Sequence, residues 1–151
     1  MHTVRLASVD DAPLVARLLH DFNTEFGSPT PGPAALATRL RTLLAGDTTL
    51  AWLAGEPAVG IALVTLRTNV WFDGPVALLD ELYVAPEFRG QGIGSAMIAA
   101  LLAKAREEGW ELVDINVDEC DEGARRFYER HGFTNTEPGS DERGLYYWLE
   151  P

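Results

Sequence analysis

The chain has 151 residues, 46% of them hydrophobic, and its 23 acidic against 12 basic residues leave a net charge of −11. That length suits one domain, 1–151, with a substantial core, and so acidic a surface repels nucleic acid and anionic membrane, which both need a basic footprint. A single cysteine, Cys120, excludes an internal disulfide and a cysteine-based metal site, and no apolar run approaches the roughly twenty residues that span a bilayer. The start, Met1-His2-Thr3-Val4-Arg5, has no signal-peptide pattern, so the expected compartment is the cytoplasm. The charge would steer cationic partners toward the protein, although it serves plain solubility equally well.

In chain order, 3–7 alternates and reads as a strand. Ser8 or Asp10 caps a helix over 12–26, with Pro13 tolerated in its first turn; Leu14, Val15, Leu18, Leu19, Phe22 and Phe26 form a helical stripe. Gly27-Ser28-Pro29-Thr30-Pro31-Gly32-Pro33 is a loop, and 34–45 a second helix. Strands over 49–54 and 58–68 form a hairpin across Gly55-Glu56-Pro57, with Gly60 as a candidate bulge. A turn over 69–75 carries Trp71 and Phe72, which either pack over an edge or line a substrate mouth or dimer contact. A strand over 78–84, a helix from the following glycines to 109, a strand over 112–117 and a short helix from Asp121 come next. Gly132 suits a helix C-terminus, and 133–136 with 144–149 reads as a closing hairpin around Pro138-Gly139-Ser140-Asp141. The expected fold class is α/β (α+β): a mixed, mostly antiparallel central sheet with helices on both faces, in the order β-α-α-β-β-β-α-β-α-β-β.

The stretch Leu78-Leu79-Asp80-Glu81-Leu82-Tyr83-Val84-Ala85-Pro86-Glu87-Phe88-Arg89-Gly90-Gln91-Gly92-Ile93-Gly94 organises the rest. Pro86 ends the strand because it cannot donate to a ladder. Three glycines then open a helix whose apolar positions are Met97, Ile98, Leu101, Leu102 and Ala105. Glycines at a helix mouth let backbone N–H groups and the positive dipole end approach an anion; the alternative is a tight turn that needs glycine for its dihedrals. A Walker loop would need Gly-Lys-Ser/Thr where Gly94-Ser95-Ala96 stands, and a dinucleotide fingerprint would want glycine at Ser95. Arg89-x-x-Gly92-x-Gly94 after a strand bearing acids resembles instead the pyrophosphate motif of the GNAT superfamily of acetyl-CoA-dependent N-acetyltransferases. Asp121-Glu122-Gly123-Ala124-Arg125-Arg126-Phe127-Tyr128-Glu129-Arg130-His131-Gly132-Phe133 is similar to that family's second signature, with Asp121 where asparagine is usual. The element order matches the GNAT fold over nearly the whole chain.

The resemblance implies a set of site residues. Tyr128 would be the general acid for the leaving thiolate, its alternative being a core tyrosine. Asp80 and Glu81 are candidate bases on opposite strand faces unless a bulge rotates them; Glu81 is preferred. Leu82, Tyr83 and Val84 would offer backbone groups to the pantetheine arm as if to an added strand. Gly90, Gln91, Gly92, Ile93, Gly94 and Ser95 would hold the pyrophosphate with Arg89 nearby, and Asp121 and Arg125 would contribute from the second signature. Many relatives carry a basic residue at the position of Gln91; Arg125 and Arg126 either offset its absence or are surface charges of their helix. Asp114, Asn116, Asp118 and Glu119 form either an acidic wall for a cationic amine or a solvated loop. His2, His20 and His131 show no metal spacing, so no metal is expected. The function implied is transfer of acetyl from acetyl-CoA to a primary amine of a small cationic substrate by direct attack in a ternary complex, in a monomer or a homodimer, without nucleic-acid or membrane partners. The alternative is a non-catalytic acyl-CoA-binding or regulatory domain of the same fold.

Overall fold

Alternating apolar strands assemble a five-stranded sheet in the computed structural model, which describes residues 2–151. The strands β1 (Val4–Leu6), β2 (Thr49–Ala54), β3 (Gly60–Arg67), β4 (Val76–Val84) and β5 (Leu112–Ile115) lie side by side in chain order. The first four are antiparallel neighbours, and β5 runs parallel to β4. The helices are α1 (Ala12–Glu25), α2 (Pro33–Ala45), α3 (Ile93–Glu108) and α4 (Glu122–Arg130). The chain divides into two compact units, 1–115 and 116–151.

In the first unit the sheet is covered on both faces, because its central strands are apolar on both. Ala51 and Leu53 of β2, Ile61 of β3 and Tyr83 of β4 pack with Ala12, Val15, Ala16 and Leu18 of α1 and Ala37 and Leu40 of α2. Trp52, between Ala51 and Leu53, points the other way and meets Trp110 edge to face at 6.5 Å. That second face belongs to α3, whose Met97, Ile98 and Leu101 are fully buried. Each such side chain contributes about 1.5–3 kcal/mol relative to exposure. Proline in the first turn of α1 and of α2 costs no hydrogen bond there. Ahead of α1, Asp11 accepts from the Ser8 backbone N–H at 2.8 Å and from both terminal nitrogens of Arg5 at 2.8 and 2.9 Å.

Gly60 is not a bulge. It opens β3 in register with Ala54 and Val84, and a Cβ there would meet Met97, Ala54 and Ile93 at 3.0–3.3 Å. Its glycine lets α3 approach the sheet. The bulge lies further on: Leu63 pairs with Glu81 and Val64 with Leu79, so Asp80 is the extra residue of β4.

In the second unit, Asp121 caps α4 by accepting from the Ala124 N–H at 3.0 Å. The helix ends at Gly132, φ +90°, where the Phe133 N–H reaches back to the Tyr128 carbonyl at 3.1 Å. Arg143 pairs with Glu119 at 2.7 Å. The first nine elements match the expected order, but the closing hairpin is reduced to one antiparallel bridge, Thr136 to Arg143. Residues 144–149 have no regular secondary structure and join no strand among the described residues. Two strands alone are marginal in water, and β-prone sequence becomes a strand only where a neighbour completes its ladder.

Candidate active site

The glycine loop joins the end of β4 to the start of α3. Gly90 and Gly92 have φ of +76° and +79°, and a Cβ at either would meet nothing within 4 Å. Glycine is therefore required by the backbone, not by crowding inside the protein. Gly92 is the N-cap of α3 and makes no side-chain cap; the first helical bond runs from the Ala96 N–H to the Gly92 carbonyl at 3.0 Å. The N–H groups of Ile93 and Gly94 thus stand in the first turn of α3, where intrahelical bonds do not reach and the helix dipole is positive. Gln91 lies beside the His2 ring, 3.4 Å between Oε1 and Nε2.

β4 presents a second feature to the same place. Its pairing with β5 stops at Leu79 and Ile115. On that side no strand accompanies 80–84 among the described residues. The Ala85 N–H donates to the Val59 carbonyl at 2.8 Å, so Val84 and Gly60 are a non-hydrogen-bonded pair. Alternation then turns the backbone groups of Leu82 and Val84 away from β3 and toward the open side. The Val84 carbonyl is taken by Arg89 Nε at 2.8 Å; the Val84 N–H and both groups of Leu82 face outward.

The bulge sets where the two acids stand. Asp80 is exposed and accepts from the Thr65 hydroxyl. Glu81, opposite Leu63, shares the face of Tyr83, where α1 and α2 pack. Burial pushes the Glu81 carboxyl above its usual range, and the neighbouring Asp80 charge adds to the shift. A carboxyl shifted in this direction is, once ionised, a stronger proton acceptor than an exposed one.

Arg89 has a role that the motif alone did not suggest. Its Nη2 contacts both oxygens of Glu25, at the end of α1, at 2.8 Å, and its guanidinium lies over the Tyr83 ring at 5.6 Å. The Tyr83 hydroxyl donates to Glu25 at 3.3 Å, and its ring stacks on Phe22 at 5.0 Å. Burial is the main cause that raises the Tyr83 phenol pKa, with Glu25 adding to it. Tyr83 is thus a core side chain, and the Arg89–Glu25–Tyr83 cluster fastens α1 to the glycine loop. Glu25 was missed from the sequence because nothing local marks an ion pair 64 residues apart.

The first unit therefore brings together Asp80, Glu81, Leu82, Tyr83, Val84 and the loop from Arg89 to Ser95. Asp121, Arg125 and Tyr128 belong to the second unit. There, Asp121 is occupied as a helix cap, and Arg125 donates to the Glu119 carbonyl at 3.0 Å. The Tyr128 ring meets Phe127 and Phe133 edge to face at 5.2 and 5.6 Å. Of the acids after β5, Glu119 is held below its usual range by Arg143.

A glycine loop at an uncapped helix end, beside a strand whose neighbour has fallen away, is the arrangement of an acyl-CoA-dependent transferase fold. The family model of the Acetyltransferase (GNAT) family matches residues 15–133. A solved structure assigned as an acetyltransferase from Arthrobacter sp. FB24 is 55% identical, with TM-score 0.93 over 99% of this chain and 96% of that one. An uncharacterized N-acetyltransferase of Methanocaldococcus jannaschii is 40% identical over 62 residues, 41% of this chain and 27% of that protein. An aminoglycoside N(6')-acetyltransferase of Stenotrophomonas maltophilia is 34% identical over 95 residues, 61% of this chain and 62% of that one. The chain thus spans less than two thirds of these two curated relatives. It belongs to the GNAT acetyltransferase family.

Proposed function

We propose that residues 1–151 act as one acetyltransferase domain that moves an acetyl group from acetyl-CoA to a primary amine of a small, cationic substrate, by direct attack while both are bound. The observation that carries this reading is the open backbone edge of Leu82 and Val84 leading to the uncapped first turn of α3. That edge suits an amide-bearing arm, and the helix end suits a pyrophosphate, which are the two polar portions of acetyl-CoA. An amine acceptor is supported by the aminoglycoside acetyltransferase among the relatives, and a cationic one by the net charge of −11.

Acetyl-CoA supplies the acetyl group as a thioester and leaves as the thiol. Glu81 accepts the proton that the amine loses as its nitrogen bonds to the carbonyl carbon, directly or through one water. The outward N–H of Val84 donates to the carbonyl oxygen as charge builds there. Tyr128 gives a proton to the departing sulfur, a role that rests on the second signature. Gly90, Gln91, Gly92, Ile93, Gly94 and Ser95 hold the pyrophosphate, while Arg89 positions that loop through Glu25. The proposed compartment is the cytoplasm, with neither nucleic acid nor membrane as partner; no helix among the described residues is long and apolar enough to cross a membrane.

The test is a thermal-shift titration with acetyl-CoA beside NADH and ATP, then thiol release over a panel of amines. Ligand at a hundred times its Kd adds about 2.7 kcal/mol, a rise of roughly 5–11 °C for a chain of this length. A rise with acetyl-CoA and amine-dependent thiol release is expected. A rise without thiol release from any amine would leave a binding domain; a rise only with NADH or ATP would overturn the reading.

A further inference from the structure

A pyrophosphate must approach this protein against its charge, because a net −11 opposes an anionic ligand. The side chains of the glycine loop offset little of that. Gln91 is neutral, and Glu87 lies in the turn just ahead of it. Arg89 is already committed: its Nη2 contacts both oxygens of Glu25 at 2.8 Å, and its Nε donates to the Val84 carbonyl at 2.8 Å. Turning that guanidinium toward a phosphate would leave the Glu25 carboxylate without its cation, which costs more than an exposed arginine would.

A second basic group reaches the loop from the start of the chain. Val4 pairs with Ala54, Ala54 with Gly60 and Gly60 with Val84. That row crosses the sheet, so the residues before β1 emerge at the same end of it as the loop that follows β4. The Thr3 carbonyl accepts from the Gly55 N–H at 2.9 Å and carries the pairing one step further. His2 comes next. Its half-buried ring meets Phe88 edge to face at 6.0 Å, and its Nε2 lies 3.4 Å from Gln91 Oε1. A carbonyl oxygen only accepts, so Nε2 is the donor and its hydrogen is aimed at the loop. The bond is long and its partner is neutral, so exchanging it for a phosphate oxygen breaks no ion pair. A hydrogen bond from an imidazolium to a phosphate is charge-assisted and roughly twice as strong as a neutral one.

We propose that His2 is a phosphate-binding residue of the acetyl-CoA site, its Nε2–H leaving Gln91 for an oxygen of the pyrophosphate beside the backbone N–H groups that open α3. This role presupposes that acetyl-CoA is the co-substrate. An imidazole changes charge within about pH 5–8, so the site draws its cation from a group that gains or loses it in the physiological range. The imidazolium binds the anion more tightly, and the bound anion in turn favours the imidazolium. Affinity is therefore full at the acid end and declines as pH rises through the imidazole range. The charged side chains on the segments around the ring are Arg5 of β1 and Glu56 of the β2–β3 turn, which attract each other, and Glu87 and Arg89 after β4, with Glu25 against Arg89.

Isothermal titration calorimetry of the untagged full chain reads Kd from about pH 5.5 to about pH 8.5, which spans the imidazole titration. A phosphate monoester also titrates, near pH 6, so the deciding ligand is 3′-dephospho-acetyl-CoA, whose pyrophosphate keeps its charge throughout. The wild type should bind it roughly 10-fold more tightly at the acid end, the low end of what a hydrogen bond to a charged group contributes, because the ring is partly exposed. His2→Gln keeps every other charge around the ring and should show the weak affinity of the alkaline wild type at every pH. His2→Lys should show the tight affinity throughout. The unliganded Tm of each variant checks its fold. A wild-type Kd that does not change with pH, or a His2→Gln protein that follows the wild-type curve, overturns the proposal. So does an effect of His2 seen with acetyl-CoA but absent with the 3′-dephospho form, which would move the ring to the 3′-phosphate. Should His2→Gln misfold, His2→Lys decides, and a Kd that still rises with pH as in the wild type refutes the assignment. Tight binding of acetyl-CoA that ignores His2 removes this residue alone; a wild type that binds none at any pH removes the cofactor reading itself.

Discussion

Replacing Gly92 by alanine distinguishes an anion cradle from a mere turn. Gly92 has φ +79°, and an added Cβ would meet nothing within 4 Å, so the cost to the protein is backbone strain without a clash. A left-handed alanine costs about 1–2 kcal/mol, offset by about 0.4–1 kcal/mol from the stiffer unfolded chain. The net loss of about 1 kcal/mol lowers Tm by about 2–4 °C for this length. Gly109 supplies an internal control. It closes the other end of α3 with φ +71°, and a Cβ there is equally free of contacts, so Gly109→Ala should lower Tm by the same amount. The two variants part when acetyl-CoA is added. Gly109→Ala keeps the full ligand-induced rise, because its methyl lies at the carbonyl end of the helix. In Gly92→Ala the methyl projects into the space where a pyrophosphate would meet the first-turn N–H groups, and the rise is lost or cut severalfold in ligand affinity. Differential scanning fluorimetry of the wild type and both variants across an acetyl-CoA series reads all of this. If Gly92→Ala retains the wild-type shift at the wild-type midpoint, the open space is not where the anion binds, and the glycines serve only the turn.

Glu81→Gln should abolish most amine-dependent thiol release and remove the acidic limb of kcat/KM, a limb that in the wild type lies above the ordinary carboxylate range because burial raises this group. The same change should raise Tm at neutral pH: a carboxyl whose folded pKa exceeds its unfolded value favours the fold when protonated and costs stability as pH rises through that interval. An unchanged or lower Tm would contradict the burial argument. Tyr128→Phe should lower kcat by about 10²-fold or more while leaving the acetyl-CoA thermal shift intact; activity within twofold of wild type would remove the phenol from the reaction. Asp11→Asn should flatten the acid limb of stability. The Arg5 guanidinium and the Ser8 N–H hold Asp11 far below the usual range, so its contribution is present above the unfolded carboxylate pKa and fades as pH falls. Acid unfolding of wild type and variant side by side checks this.

The sequence carried the elements well wherever one residue's neighbours along the chain determine its state. The expected bounds of β2 coincide with the structure, and α1, α2 and α3 differ from it by a residue or two, because helical stripes and terminal prolines and glycines are local signals. Of the adjacent acids Asp80 and Glu81 the sequence favoured Glu81 without fixing the face that either one takes. Their assignment depends on a register shift between Leu63 and Val64, which arises from pairing two strands and leaves no trace in either one. Arg89 was legible as part of a motif, whereas its commitment to Glu25 and the Val84 carbonyl depends on where α1 ends against β4. The closing hairpin differs for a more informative reason. Residues 145–149 have the composition of a strand buried on both faces, yet in the isolated chain they join no ladder among the described residues. A pattern states what environment a segment needs; only the assembled sheet shows whether the same chain provides it.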